Sequence, residues 1–248
     1  MNRPMNNVML DIETLGKKAG CPIVSVAAVM FAPATGRVGQ TFYERIDYQA
    51  ALKYGEPEEG TLLWWQKQRD EARHEAFDGK ARPDVVARAL RTFIATHCAK
   101  PRVPWGNGAV FDIALLESWF DRVDPQKDDQ GNDRYPWSFW DVADLRTLVR
   151  LSGIDVRAIP FDGEKHHALA DALHQVKIAH AAWQRLFPDE GQSYASVIEY
   201  QLAQCKRALT ALGFLPSVPF FSERERSSPG HHHHHVVSLR SDAHEKSD

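Results

Sequence analysis

The chain has 248 residues, of which 43% are hydrophobic, enough for one large globular domain or one domain with an appendage. A formal charge of −3 excludes attraction of the whole protein to nucleic acid, so phosphate binding would need a local basic patch or a metal ion. Three cysteines without C-x-x-C spacing suggest neither a disulfide framework nor a zinc site. The lack of a leader sequence and of a long apolar run predicts a cytoplasmic protein with no membrane segment.

Three short apolar runs begin the chain, and they predict strands. NVMLDIE, IVSVAAVMFAP and TFYERID are separated by glycine and proline, which predicts a meander. Periodic segments between residues 50 and 98 predict helices, and RVPWGNG predicts a fourth strand that ends at Gly106. Further helices are predicted in VFDIALLESWFDRV, WDVADLRTLVRL and ALADALHQVKIAHAAWQRLF. This order predicts an α/β domain with a mixed sheet and helices on both faces.

The composition changes near the C-terminus. Residues 1–188 are predicted to form the domain, and 189–221 an appended helix. Residues 222–248 are too polar to bury a core and are predicted to be a disordered tail. The five consecutive histidines in this tail are interpreted as biased composition or an added tag, and not as part of a functional site.

Two acids, Asp11 and Glu13, stand one residue apart at the end of the first predicted strand. Residues i and i+2 of a strand point to the same face, so two like charges lie side by side at the edge of a core. That arrangement costs free energy unless a cation lies between them. The alternative is that the strand ends at Asp11 and both acids are solvated. The spacing alone is weak, because Asp162-Gly163-Glu164 repeats it in a predicted loop.

Two later segments add polar candidates. Asp112 follows the fourth strand at the start of a helix, where the helix dipole favours an anion and where an N-cap role is the alternative. His166 precedes Asp171 by five residues. Residues with this spacing in a helix point about 140° apart. They can therefore share a site only if His166 lies on the loop before the helix.

Three motifs occur in order along the chain: DIET after a strand, FD at the start of a helix, and HxALxDA before another helix. They resemble the three motifs of the DEDDh branch of the DnaQ-like (RNase T-like) 3′-to-5′ exonuclease superfamily, which has a ribonuclease H-like fold. The resemblance covers residues 5–186. The flanking segments LLWWQKQRDEAR and WDVADLRTL are similar to those of exodeoxyribonuclease VIII-like and mycobacterial exoribonuclease-like domains.

The resemblance implies an enzyme that uses two divalent cations, Mg²⁺ or Mn²⁺, to hydrolyse single-stranded nucleic acid from its 3′ end. The products would be nucleoside 5′-monophosphates. DNA is slightly favoured as the substrate, and the choice between DNA and RNA stays open. Asp11 would bridge both ions, Glu13 and Asp171 would complete the site on the nucleophile side, and Asp112 would serve the other ion. His166 would take a proton from the attacking water, since the unperturbed pKa of histidine, about 6.5, is near working pH.

The same resemblance implies substrate contacts next to the first two motifs. Thr14, Leu15 and Gly16 would cradle the terminal nucleotide, and Leu15 and Phe111 would contact its base. Core packing is an equal alternative for Phe111. Trp64 and Trp65 are adjacent on a helix, so one of them is expected in the core. Phosphate contacts or plain solvation are expected for five basic residues, Lys17, Lys18, Arg69, Arg73 and Lys165.

Two other functions stay open at this point. A non-catalytic nucleic-acid-binding protein with the same fold is disfavoured, because all five catalytic positions are filled. A metal phosphohydrolase of small nucleotides is disfavoured by the aromatic and basic residues, which favour a polymer. A homodimer is a further possibility, because some members of the superfamily are homodimers.

Overall fold

The computed structural model describes residues 4–188 and, beyond them, only 198–199, 201–202, 204–205, 208–209 and 212–213. The chain divides into two compact units, Met1–Tyr194 and Ala195–Asp248. Most of the predicted appended helix, 189–221, and all of the predicted tail, 222–248, lie outside the described residues. The domain boundary at residue 188 therefore stays a prediction. None of the described helices is both long enough and apolar enough to cross a membrane.

A five-stranded sheet organises the first unit, in the order β3-β2-β1-β4-β5. The first three strands form the predicted antiparallel meander, β4 pairs parallel to β1, and β5 pairs parallel to β4. This mixed sheet confirms the predicted α/β class. The strands are β1 (Asn7–Thr14), β2 (Ile23–Ala32), β3 (Arg37–Arg45), β4 (Val103–Gly106) and β5 (Ala143–Asp144).

Helices surround the sheet. Three single turns of 3-10 helix accompany them, at Leu52–Tyr54, Phe139–Asp141 and Val156–Ala158. The α-helices are α1 (Tyr48–Ala51), α2 (Glu59–Gln66), α3 (Asp70–Phe77), α4 (Pro83–His97), α5 (Ala109–Val123), α6 (Leu145–Ser152) and α7 (Ala168–Leu186).

The two faces of the sheet carry separate cores, because side chains alternate along each strand. Val8, Leu10 and Ile12 of β1 join the core that includes buried side chains of α4 and α5. Met9 joins the core on the other face, which includes buried alanines of α7. Asp11 and Glu13 are two and four residues after Met9 in the same strand. They therefore belong to the face that α7 covers, as the i, i+2 rule requires.

The segment WDVADLRTLVRL is not one helix, so that prediction is wrong. Phe139–Asp141 is a 3-10 turn, Ala143–Asp144 is the edge strand β5, and α6 begins only at Leu145. The cause is Asp144, whose Oδ2 accepts hydrogen bonds from the N–H and hydroxyl of Thr147, at 2.8 and 2.7 Å. This N-cap fixes the start of the helix and leaves the preceding residues free to pair with β4.

Candidate active site

All four predicted carboxylates converge at one end of the sheet. Asp11 and Glu13 lie near the end of β1, Asp112 in the first turn of α5 and Asp171 in the first turn of α7. Each of the other three acids acts on the pKa of Asp11 through its charge. Asp11 is 7% exposed and Asp112 is 2% exposed. The structure therefore places four like charges together in a site with little access to water.

Asp112 reaches this group because β4 and α5 meet closely. A Cβ at Gly106 would lie only 3.0 Å from the Cβ of Asp112, so a side chain there would push Asp112 away. The backbone N–H of Asn107 donates to Oδ2 of Asp112 at 3.0 Å. The N-cap of α5 is Gly108, so the alternative that Asp112 caps this helix is wrong. The carboxylate points back toward the strand end.

The pKa values show how strongly these acids resist ionisation without a cation. Burial, and then the charges of neighbouring acids, raise the pKa of Asp11 and of Glu13 well above the usual range. Burial raises the pKa of Asp112 to about 7 against the lowering effect of backbone hydrogen bonds, and raises that of Asp171 to about 6. The charge of Asp171 also raises the pKa of Glu13. The metal-free site therefore retains protons near neutral pH.

A divalent cation fits this arrangement. Oδ2 of Asp11 is buried and has no hydrogen-bond partner among the described residues. Potential ligand atoms of Glu13, His166 and Asp171 all lie within 4.8 Å of one another, which makes them a possible metal site. Carboxylate oxygens are the ligands that Mg²⁺ and Mn²⁺ prefer. A cation would thus give the unpartnered oxygen a ligand role and offset the repulsion between the acids.

His166 lies on the loop before α7, which begins at Ala168 with His167 as its N-cap. Its φ of 64° is in the left-handed region, which histidine tolerates better than most residues. Its ring meets the ring of Trp64 edge-on, with centroids 4.9 Å apart. Burial, and then the charge of Lys165, lower the pKa of His166. The ring is therefore neutral at neutral pH and able to accept a proton.

An open cleft of about 820 Å³ lies beside the acids. Thr14, Gly16 and Phe111 line it, and Phe111 also packs against the core, so both alternatives for this residue fit the structure. Trp64 is 40% exposed and lines the cleft, whereas Trp65 is 2% exposed and donates its ring N–H to the carbonyl of Thr14 at 2.9 Å. As expected, one of the adjacent tryptophans lies in the core.

Leu15 is placed differently from the prediction. It is fully buried in the core and does not line the cleft. Its N–H donates to the carbonyl of Pro22 at 3.0 Å, and its carbonyl accepts from the N–H of Glu58 at 2.8 Å. These bonds hold the backbone so that the side chain packs inward. The structure therefore gives no support to the predicted contact between Leu15 and a base.

Some polar residues at the site were not found from the sequence. Arg146 borders the cleft, and its charge lowers the pKa of Asp112. Gln175 is buried and donates from Nε2 to Oδ1 of Asp11 at 2.9 Å. Gln175 could have been identified from the sequence, because it follows Asp171 by four residues and so lies on the same face of the helix. Of the predicted basic residues, Lys17 lines the cleft.

Replacing Gln175 with leucine should raise the Mg²⁺ or Mn²⁺ concentration needed for half-maximal activity by about tenfold, the usual effect of losing a residue that orients a metal ligand. Oδ1 of Asp11 would lose its donor, while the fold should survive because the unpartnered Oε1 of Gln175 is removed as well. Metal titrations of activity and of thermal stability measure this. Gln66→Leu, at an exposed position, is the matched control. An unchanged metal requirement would show that Gln175 does not orient Asp11.

The family model of the Rv2179c-like 3′-5′ exoribonuclease domain matches residues 6–183. No curated protein sequence matches the chain at a significant level. An exonuclease I structure that suggests how processivity is achieved aligns with a TM-score of 0.51 and 17% identity, over 83% of this chain and 45% of that one. Exonuclease I from Methylocaldum szegediense aligns with a TM-score of 0.51 and 14% identity, over 73% of this chain and 41% of that one.

A third similar structure is S. pombe Pop2p in its Mg²⁺- and Mn²⁺-bound form, with a TM-score of 0.45 and 14% identity, over 76% of this chain and 86% of that one. The chain spans less than half the length of the two exonuclease I chains. The alignments with exonuclease I confirm the predicted ribonuclease H-like fold. The family match confirms the predicted resemblance to 3′-to-5′ exonuclease domains.

Proposed function

Because the chain belongs to the family of Rv2179c-like 3′-5′ exoribonuclease domains, we propose that it removes nucleotides from single-stranded 3′ ends as nucleoside 5′-monophosphates. The proposed cofactors are two divalent cations, Mg²⁺ or Mn²⁺. One observation carries the proposal: three other acids act on Asp11, whose buried carboxylate oxygen Oδ2 has no hydrogen-bond partner among the described residues, beside an open cleft. A cytoplasmic location and a homodimer stay predictions.

The proposed roles are those that the resemblance to DEDDh exonucleases implies. When bound, two such ions activate the attacking water and stabilise the oxygen that leaves. Asp11 would help to hold both ions, Glu13 and Asp171 would hold the ion on the nucleophile side, and Asp112 would hold the other. His166 would accept the proton of the water at a ring nitrogen.

The cleft offers different surfaces for bases and for phosphates. Trp64, Phe111 and the exposed Val110 supply apolar surface on which the terminal bases could pack. Lys17 and Arg146 supply positive charge for the phosphates. Either DNA or RNA could bind such surfaces. The family description names RNA, whereas DNA was slightly favoured from the sequence, so both polymers belong in the test.

Matched DNA and RNA oligonucleotides, labelled at either end, test the proposal. We expect mononucleotides to be released from the free 3′ end, only with added Mg²⁺ or Mn²⁺, and more slowly from a blunt duplex, because each terminal base must first unstack. Gel and chromatographic analysis of the products measures which end is shortened, what is released and how fast. Release from the 5′ end or nicking of a circular single strand would contradict the exonuclease direction. Binding without cleavage would favour a non-catalytic protein, and cleavage of small nucleotides alone would favour the phosphohydrolase.

A further inference from the structure

A second groove of about 820 Å³ lies at the far end of α5 from the catalytic acids. Asp112 stands in the first turn of this helix, and Asp124 at its C-terminal end pairs with Arg91 of the groove, with Nε and Oδ2 2.9 Å apart. Twelve residues of helix separate the two acids, which corresponds to about 18 Å. The groove is therefore outside the cleft but within reach of a short stretch of polymer.

The groove is basic, although the chain as a whole is acidic. Among the described residues that line it, five side chains are cationic and only Asp141 is acidic. A polyanion would be drawn to such a groove even though the formal charge of the protein is −3. The cationic side chains are Arg88, Arg91, Lys100, Arg102 and Arg134.

The charge of Arg102 is not balanced by an acid in its hydrogen bonds. Its guanidinium group donates to the backbone carbonyls of Cys98, Pro136 and Ala95, at 3.1, 3.2 and 3.5 Å. These partners fix the side chain but are neutral. The groove thus contains a positioned positive charge that an anion can use.

Apart from Arg91, which has its own acidic partner, the remaining cations are also incompletely neutralised. Arg88 shares the single carboxylate of Asp84 with Arg82. Within residues 4–188, the side chains of Lys100 and Arg134 form no ion pair, and both are exposed. Such side chains are free to contact successive phosphates of a backbone.

Two exposed aromatic side chains stand beside the groove. Phe139 is 75% exposed and Trp140 is 70% exposed, and their rings meet edge to face with centroids 4.9 Å apart. Their neighbours in sequence, Ser138 and Asp141, line the groove. Neighbouring cations and exposed aromatic rings are the combination that binds single-stranded nucleic acid without sequence preference, because every base can stack on a ring.

The chain links this pair of rings directly to the cleft. After Trp140 it enters β5, the edge strand, which runs parallel to β4 toward the catalytic end of the sheet. Two residues after β5 comes Arg146, which borders the cleft. The groove, the aromatic pair and the cleft thus follow one edge of the sheet.

We propose that the groove and the Phe139–Trp140 pair bind the upstream part of a single-stranded nucleic acid whose 3′ end lies in the cleft. This proposal rests on the proposed function, because it takes the cleft as the place of the 3′ end. The distance from the catalytic acids to the groove along α5 is about 18 Å. Even at the spacing of a stacked strand, about 3.4 Å per nucleotide, this corresponds to about five nucleotides. A trinucleotide held in the cleft would not reach the groove, whereas a chain of about twelve nucleotides would.

Two double variants test the site, Lys100→Glu with Arg134→Glu, and Phe139→Ala with Trp140→Ala. All four side chains are exposed, so the fold should be kept. Lys80→Glu with Arg185→Glu is the matched control, with the same charge change at exposed positions that line neither the groove nor the cleft. The measurement is the fluorescence anisotropy of a labelled single-stranded oligonucleotide of about twelve nucleotides, in chelator, over a range of salt concentrations.

Each groove variant should bind the oligonucleotide at least about tenfold more weakly than the control does. The charge variant should also show a shallower dependence of log affinity on log salt, by about 0.7 for each phosphate that the protein no longer neutralises. In cleavage assays with metal, KM should rise for the long substrate with little change in kcat. That effect should shrink as the substrate is shortened toward a trinucleotide.

Groove variants that bind like the control would overturn the proposal and assign the groove to a different partner. An equal loss for the trinucleotide and the long oligonucleotide would also overturn it, because the effect would then arise in the cleft. Failure of the proposed function looks different, since no substrate would be cleaved by any form of the protein. Weaker binding by the groove variants would still support a nucleic-acid site in that case.

Discussion

Replacing Asp11 with asparagine should lower kcat at least about 10³-fold, equivalent to about 4 kcal/mol of transition-state stabilisation. In the wild type, Nε2 of Gln175 donates to Oδ1 of Asp11 at 2.9 Å. Asparagine keeps the shape of the side chain and an oxygen that can accept this hydrogen bond. It removes the charge of the one acid on whose pKa the other three all act. Cleavage assays at saturating Mg²⁺ or Mn²⁺ measure the loss.

The same variant should be at least as stable as the wild type when metal is absent. Burial raises the pKa of Asp112 to about 7 and that of Asp171 to about 6, and it raises those of Asp11 and Glu13 well above the usual range. In the unfolded chain these groups titrate near pH 4, so the folded protein holds their protons more tightly. The protonated acids therefore contribute to the stability of the folded protein. This contribution is complete below about pH 4 and is lost as pH rises through 6 to 7.

It follows that the Tm advantage of Asp11→Asn in chelator should be largest at about pH 8 and should shrink as pH falls toward 5. Added Mg²⁺ or Mn²⁺ should raise the Tm of the wild type more than that of the variant. Asp129→Asn, an exposed position, makes the same charge change as a control. Substantial cleavage by Asp11→Asn would contradict the proposed metal site. A low Tm at every pH would instead mean that the variant had lost its fold.

Much of this site could be predicted because short-range rules determine it. The alternation of a strand places Asp11 and Glu13 on one face, and the spacing of His166 and Asp171 requires the histidine to precede the helix. The meander and the fourth strand could be predicted from apolar runs and the glycine and proline residues between them. These inferences depend on neighbours within a few residues, and tertiary packing did not change them.

The parts that were missed depend on contacts between distant segments. The side chain of Leu15 packs inward because its backbone bonds to Pro22 and Glu58, which no local pattern reveals. Arg146 borders the cleft because Asp144 ends a two-residue strand and caps α6, whereas the local pattern is helical. The left-handed backbone of His166 likewise cannot be read from its residue type.

Replacing His166 with alanine should lower kcat by at least about 10²-fold with little change in KM, the usual effect of removing a general base. Its ring is part of the group of potential ligand atoms with Glu13 and Asp171 and also lines the cleft. Its backbone lies outside α7, so the ring is not held by the helix. Because its pKa is lowered, the wild-type rate should fall as pH drops through a value below about 6.5.

His167 is the matched control, because the structure gives it a structural role. Its Nδ1 accepts from the N–H of Ala170 at 3.4 Å, and its Nε2 lies 3.3 Å from Oε1 of Glu75. Its ring stacks on Tyr43 with centroids 4.6 Å apart. His167→Ala should therefore keep kcat within several-fold of wild type but lower the Tm by about 2–4 °C, the effect of losing about 1 kcal/mol of capping. His167→Asn should recover much of that Tm, because asparagine is a good N-cap.

The pH profiles of the two alanine variants separate the possible roles of His166. If it is the base, raising pH should partly rescue His166→Ala, because hydroxide becomes available without a base, and the metal requirement should stay near that of wild type. A large rise in that requirement without pH rescue would make His166 a metal ligand, which its distance to Glu13 and Asp171 also permits. Loss of activity in His167→Ala alone would mean that the wrong histidine was assigned. Full activity in both variants would mean that no histidine in this loop activates the water.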